Sequence, residues 1–411
     1  MNARKSLAIY PRVDSMFRGK HSFNFDMMKS EIYQNQDRPK RIKAYIWLGY
    51  FFTGFLTGLI AFLMSQIEEF LVEHRSHFMQ TIIDNYGNQI LSSVFAVSFC
   101  FVFACVASAL TVYVGPGANG SGIAELMAIF NGVNYPNFIG KRTLFVKIVA
   151  VILAISGFLC VGKEGPLAHI GAVTAMIVVY YLPISKFDYF KNDVVKREFM
   201  AAGTSAGVAA AFAAPIGSAL FSYELSKPTT FWTFSMIWRV FFCSSVSTFT
   251  LSLLSQIKEH GFDNLTLVAS GTLKFGDFQN IQDVKLRDVH GPIFIGIIGG
   301  LMGSLFVNVN TRMTALRKKY ITTNARKILE TGFYAVLTMT VAITSVVIVN
   351  NCDKIERSKV EADDFKKILI RWQCPEEAPD SEFVSFSPLA TLFFNTEGGT
   401  IRSLFVQEKE N

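Results

Sequence analysis

The chain has 411 residues, 51% hydrophobic, 14% aromatic and 17% charged, with a formal net charge of +7 and a mean hydropathy of +0.34. That balance is too apolar for an ordinary soluble globular protein and puts the chain in lipid. The positive excess sits in the flanks and connectors of apolar runs, so it reads as membrane topology and attraction to lipid headgroups, not as a nucleic-acid-binding face.

The first forty residues are polar and carry no secretory signal. The basic cluster RPKRIK, residues 38–43, stands directly before the first apolar run, and the positive-inside rule assigns residues 1–44 to the cytosol. A bilayer core about 30 Å thick needs roughly 20 apolar residues of helix. Residues 45–66, 92–114, 291–310 and 331–350 meet that length without an interior charge. Residues 234–254 are as long, with Arg239 near the start, where its side chain can snorkel to the interface. Shorter or glycine-broken apolar pieces, residues 143–162, 165–182 and 201–223, need not each cross the membrane. The basic stretch at 312–327 reads as a cytosolic connector between two long helices. Residues 256–290 and those after 350 then fall on the lumenal or extracellular side. Asn264, in the first of these outer segments, begins a glycosylation sequon with Leu265 and Thr266.

Cys100, Cys105, Cys160 and Cys243 lie in apolar helices as small buried side chains. Cys352 and Cys374 flank a charged outer segment, where a disulfide is chemically allowed. The six cysteines and six histidines show no metal-ligand spacing. Glu164, Glu224 and the histidines form no set of nucleophile and base. Neither a metal site nor an enzyme is expected.

Three glycine-rich clusters interrupt the apolar pieces: GPGANGSGIAE (115–125), GKEGP (162–166) and AAGTSAGVAAAFAAPIGSALFSYEL (201–225). Helices broken inside a membrane leave backbone amides that are tolerated only where they line a cavity or meet a ligand. The amides and macrodipole at a helix N-terminus favour negative charge, so the pattern predicts an anion pathway. In GSGIAE, Gly120 and Gly122 let the backbone approach an ion closely, Ser121 offers a hydroxyl, and the amides of Gly122 and Ile123 complete a half-shell; a plain turn between helices is the alternative. In GKEGP, Pro166 suits a first helical turn and Glu164 stands at the positive end of the dipole. A carboxylate there can occupy an anion site and leave it on protonation, which makes Glu164 a gate; a helix-end charge or an ion pair with Lys163 is the alternative. Glycine spacing and the residue after GKE exclude a nucleotide-binding loop.

GSGIAE, GKEGPLAHIG and AAGTSAGVAAAFAAPIGSALFSYE, in this order and at these separations, resemble the CLC family of chloride channels and chloride/proton exchangers. TGFLTGLIAF (53–62), FFNTEGGTIRSLF (393–405) and the Cys352/Cys374 pair look like the animal endosomal and lysosomal branch of that family. The resemblance implies an all-α polytopic fold with broken and re-entrant helices. It implies that Ser121, with Gly122 and Ile123, coordinates chloride, the substrate, and that Glu164 is the gate and, in exchangers, the proton carrier. Gly120, Gly162, Lys163, Gly165 and Pro166 would complete the pore motifs, with no cofactor. It also implies a homodimer, or a heterodimer with full-length relatives, through residues 234–254 and 291–310, in an endosomal, lysosomal or plasma membrane.

The sequence departs from the family pattern in three places. Leu225 stands where exchangers carry an inner proton glutamate, as apolar residues do in passive members. Ala124 replaces the usual proline of the first motif. No GxFxP motif and no long apolar run follow residue 350, so the resemblance covers the first half of an inverted repeat plus two helices. Residues 45–350 are thus expected to form an incomplete transmembrane region, followed by an outer segment at 351–411. The expected function is that of a voltage-gated-type chloride channel with a glutamate gate. The alternatives are a chloride/proton exchanger and a truncated, non-conducting subunit that modulates full-length relatives.

Overall fold

The computed structural model describes residues 40–133, 135, 137–181, 193–226, 232, 234–261, 290–349, 351–356, 369–375, 383–396 and 400. Asn264 and residues 1–39 therefore lie outside the described residues. Among the described residues are eleven α-helices and one two-stranded antiparallel sheet. Five helices, Ala44–Tyr86, Gln89–Val114, Phe234–Lys258, His290–Tyr320 and Asn324–Val349, are long and apolar enough to cross a membrane. They contain the five long apolar runs expected from the sequence, save Asn350, which lies outside the described residues. The chain divides into two compact units, one made of residues 1–67, 110–152 and 161–272, the other of 68–109, 153–160 and 273–411.

The first unit begins with the front part of α1 (Lys40–Tyr86). It continues through a 3-10 turn, Pro116–Ala118, the short helix α3 (Ile123–Phe130) and most of α4 (Lys141–Ser156). Helices α5 (Glu164–Tyr181), α6 (Asp193–Phe212), α7 (Pro215–Ser226) and α8 (Phe234–His260) complete it. Without a hydrophobic drive between helices in lipid, contact depends on small residues and interhelical hydrogen bonds, and the sequence supplies both. A side chain on Gly171 of α5 would run into the Gly203 carbonyl oxygen of α6, and one on Gly207 into the Leu167 carbonyl oxygen, so these backbones touch. Gly54 and Gly58, one turn apart on α1, meet the Cys243 and Ser247 carbonyl oxygens of α8 in the same way. The Ser222 hydroxyl donates to Ala201 O at 2.7 Å and that of Ser247 to Ala206 O at 3.0 Å. Tyr50 of α1 stacks on Phe199 of α6 with ring centroids 4.3 Å apart, beside the ion pair of the half-buried Arg239 with the buried Glu198 at 3.5 Å.

The second unit holds α2 (Gln89–Ala109), which runs on as a π turn over Leu110–Val114 in the first unit, with α9 (His290–Tyr320) and α10 (Asn324–Val349). Strands β1 (Asp353–Glu356) and β2 (Phe383–Phe386) pair antiparallel, and α11 (Pro388–Phe394) follows. Helix α10 packs on α2 where Gly332 admits Phe101 and Cys105. A disulfide joins Cys352 to Cys374, with Cα atoms 5.8 Å apart. Every residue of α9 is exposed within the chain. The second part of α1 meets the residues that follow α10: Gln80 Nε2 donates to Trp372 O at 3.4 Å, and Arg371 pairs with Asp84 at 2.5 Å. Arg75, also on α1, is buried. Its guanidinium donates to Ser156 O at 2.9 Å and Phe394 O at 3.4 Å, the last residues of α4 and α11, where helix-end carbonyls and the helix dipoles attract a cation.

Candidate functional site

All the residues expected to handle an anion lie in the first unit, on two helix starts. Gly120 and Gly122 have φ of +69° and +89°, a region that costs other L-residues about 1–2 kcal/mol. The left-handed Gly122 is the N-cap of α3, and the first intrahelical bond runs from Leu126 N to Gly122 O at 3.0 Å. The amides of Ile123, Ala124 and Glu125 therefore have no carbonyl one turn back. In α5 the corresponding bond runs from Leu167 N to Lys163 O at 2.9 Å. Pro166 sits in the first turn, where it has no amide to waste, and Glu164 is the first helical residue.

The two motifs meet at one glycine. A Cβ on Gly165 would collide with the Ser121 hydroxyl oxygen and stand 3.0 Å from Ser121 Cβ and 3.5 Å from Ile123 Cδ1. Thus the Ser121 hydroxyl lies against the backbone of α5, one residue from Glu164. The Glu164 carboxylate folds back over Gly162: its Oε2 occupies the space a Cβ there would need, with Cδ 3.2 Å from that position. Gly162 and Gly165 are thus spaces, one for the carboxylate and one for the hydroxyl. Two helix N-termini, a hydroxyl and a displaceable carboxylate can bind a small anion without a metal or a cofactor. Among the described residues no group of three or more potential metal ligands occurs.

Leu225 is buried in the apolar core cluster that also holds Phe199, Met200, Met236, Val240 and Cys243, and an apolar side chain stands there in place of a carboxylate. Cys352 and Cys374 belong to the second unit.

Sequence reading passed over two buried residues next to the GSG loop. Lys147 of α4 donates from Nζ to Gly120 O at 2.6 Å, and His169 of α5 lies under Gly122, its Nδ1 2.8 Å from where a Cβ would stand. A lysine inside the apolar piece 143–162 was a sufficient signal, since an ionisable residue there marks function by default. His169 carried the same signal in the apolar piece 165–182, whereas its stacking on Phe138 at 3.8 Å, a residue 31 positions earlier, is a contact made by the fold.

Residues 102–408 match the family model described as voltage gated chloride channel. The mouse (Mus musculus) H(+)/Cl(-) exchange transporter 7 is 31% identical over 402 residues, covering 93% of this chain and 48% of that protein. Chloride channel protein A of Dictyostelium discoideum is 33% identical over 330 residues, covering 74% of this chain and 37% of that one. The chain thus spans about half the length, or less, of these relatives. The crystal structure of a slow cyanobacterial Cl-/H+ antiporter aligns with a TM-score of 0.58 at 18% identity, over 72% of this chain and 63% of that chain. At that identity the likeness is one of fold.

Proposed function

Because the chain belongs to the voltage-gated chloride channel family and is a multi-pass membrane protein, we propose that it moves chloride past Ser121 under the control of Glu164. The observation that carries this reading is the contact of Gly165 with Ser121, which joins an anion-binding helix start to a removable carboxylate. Chloride takes the hydroxyl and the α3 amides; the Glu164 carboxylate competes for the same positive field and withdraws when protonated. Movement is passive, as in a channel, because Leu225 sits in an apolar core and cannot pass a proton on. We assign residues 1–44 to the cytosol, the protein to an endosomal or lysosomal membrane, and subunit contact to α8 and α9.

The second reading, coupled exchange of chloride for protons, is favoured by the mouse relative, which is an H(+)/Cl(-) exchange transporter. One experiment separates the two. The full chain is reconstituted in liposomes, and chloride efflux is recorded as external pH is varied, with proton movement followed in parallel. We expect chloride efflux that rises as pH falls, no uphill proton movement, and efflux independent of pH in Glu164→Gln. Uphill proton movement in the unaltered chain selects the exchanger, and no chloride flux at all removes both readings.

A further inference from the structure

Of the seven buried side-chain atoms without a hydrogen-bond partner among the described residues, four lie in the second unit: Arg75 Nε, Gln80 Oε1, Ser156 Oγ and Trp372 Nε1. Their residues are linked. Arg75 reaches the Ser156 carbonyl with one amino group, at 2.9 Å, and the Phe394 carbonyl with the other. The Phe394 ring packs against Trp372 with centroids 5.1 Å apart, and Gln80 Nε2 donates to Trp372 O at 3.4 Å. Arg75 is 1% exposed, Ser156 0% and Trp372 2%.

This group is short of negative charge. Among the described residues Arg75 makes no ion pair with a carboxylate, and the titratable side chain that acts on it is the thiol of Cys100 on α2, a neutral group. The guanidinium carbon stands 5.3 Å from the centre of the Phe158 ring. The carbonyls of Ser156 and Phe394 take hydrogens from the two amino groups and bring helix-end dipoles, but no full charge. The Nε hydrogen and the charge itself are left over. A buried polar atom without a partner calls for a water or an ion, and a buried cation calls for a counter-charge. Three of the four atoms are donors or can donate, the guanidinium Nε, the Ser156 hydroxyl and the indole nitrogen; only Gln80 Oε1 is purely an acceptor. A water answers the donors alone, whereas an anion answers the donors and the charge together.

We propose that Arg75 Nε and the Ser156 hydroxyl hold a small monovalent anion of the halide class in the second unit. This site shares no residue with the one proposed at Ser121, which belongs to the first unit, and it stands or falls separately. The bound ion neutralises Arg75 where α1 meets the ends of α4 and α11. Because it binds the folded chain only, halide concentration sets part of the stability of this unit.

The test is diffraction from crystals of the purified full chain grown in sodium bromide, read at the bromine absorption edge, together with the unfolding midpoint in detergent as sodium gluconate is replaced by sodium chloride at constant ionic strength. We expect an anomalous peak within hydrogen-bond reach of Arg75 Nε and Ser156 Oγ, lost in Arg75→Gln and kept in Ser121→Ala, and a midpoint that rises with chloride. Ser156→Ala keeps the charge and removes one donor; it should raise the chloride concentration giving half of that rise about tenfold, ~1.4 kcal/mol. A water or no density beside Arg75 Nε overturns the proposal. A bromide peak there with the chloride dependence unchanged in Ser156→Ala means an adventitious ion only, and overturns it too. If Arg75→Gln does not fold, the peak in the unaltered chain and the Ser156→Ala comparison decide. A peak at Ser121 alone leaves the anion reading of the first unit standing while this proposal falls.

Discussion

Gly165 shows how little space separates the two motifs. A methyl group there lands on the Ser121 hydroxyl oxygen, so it must push apart the groups proposed to meet the ion, and a displacement of about 1 Å at a reacting centre can cost 100-fold. Gly165→Ala should therefore lower chloride flux by about that factor while leaving circular dichroism unchanged; flux at the original level would separate Ser121 from the path. Ser121 and Glu164 were legible because their types are out of place in apolar sequence. The role of Gly165 was legible only as part of a motif, since nothing in a glycine states which side chain will use the space it leaves. Lys147 was visible as a cation in an apolar piece, yet its hydrogen bond to Gly120, 27 residues earlier, is set by the fold.

Among the helices, hydropathy marks lipid-facing length and is silent about where a helix stops. The apolar run ends at Gln66, whereas α1 continues to Tyr86. The extension is amphipathic: Val72, Arg75 and Met79 are buried on one stripe, spaced three and four apart as a helix requires. That periodicity was present in the sequence but fell outside a search for uninterrupted apolar runs. Packing was legible in another way, since Gly54 and Gly58 stand in the GxxxG spacing that lets membrane helices touch. The crossing of α5 and α6 is closer still, and Gly203 has both the Gly171 carbonyl oxygen and, at 2.7 Å, the Ala175 Cβ where its own side chain would be. Neither neighbour is a flexible side-chain end. Gly203→Ala should cost about 1–3 kcal/mol through overpacking, read as a lower unfolding midpoint in detergent, and an unchanged midpoint would mean the helices do not meet there.

Across the whole molecule, the residues proposed to handle an anion at Ser121 lie in one compact unit and the disulfide in the other. The sequence indicated that Cys352 and Cys374 stand outside the apolar runs, but not that residues between and after them pair as β1 and β2 and attach to α1. That attachment uses long-range contacts with no local pattern. The two cysteines close a loop with a sequence separation of 22, for which chain entropy gives about 3 kcal/mol. Cys352→Ser should lower the stability of the second unit by up to that amount while chloride binding in the first keeps its affinity; loss of binding would show that the two units are energetically coupled. Arg75 adds a requirement in time. Its partner Phe394 lies 319 residues further along the chain, and at about 5–20 residues per second the ribosome needs roughly 16–64 s to deliver it. Until then that hydrogen bond is unmade, so the second part of α1 cannot reach its final buried setting during early synthesis. Completion of that part of the fold waits for α11, which makes Arg75 a built-in check that the residues after α10 have been made.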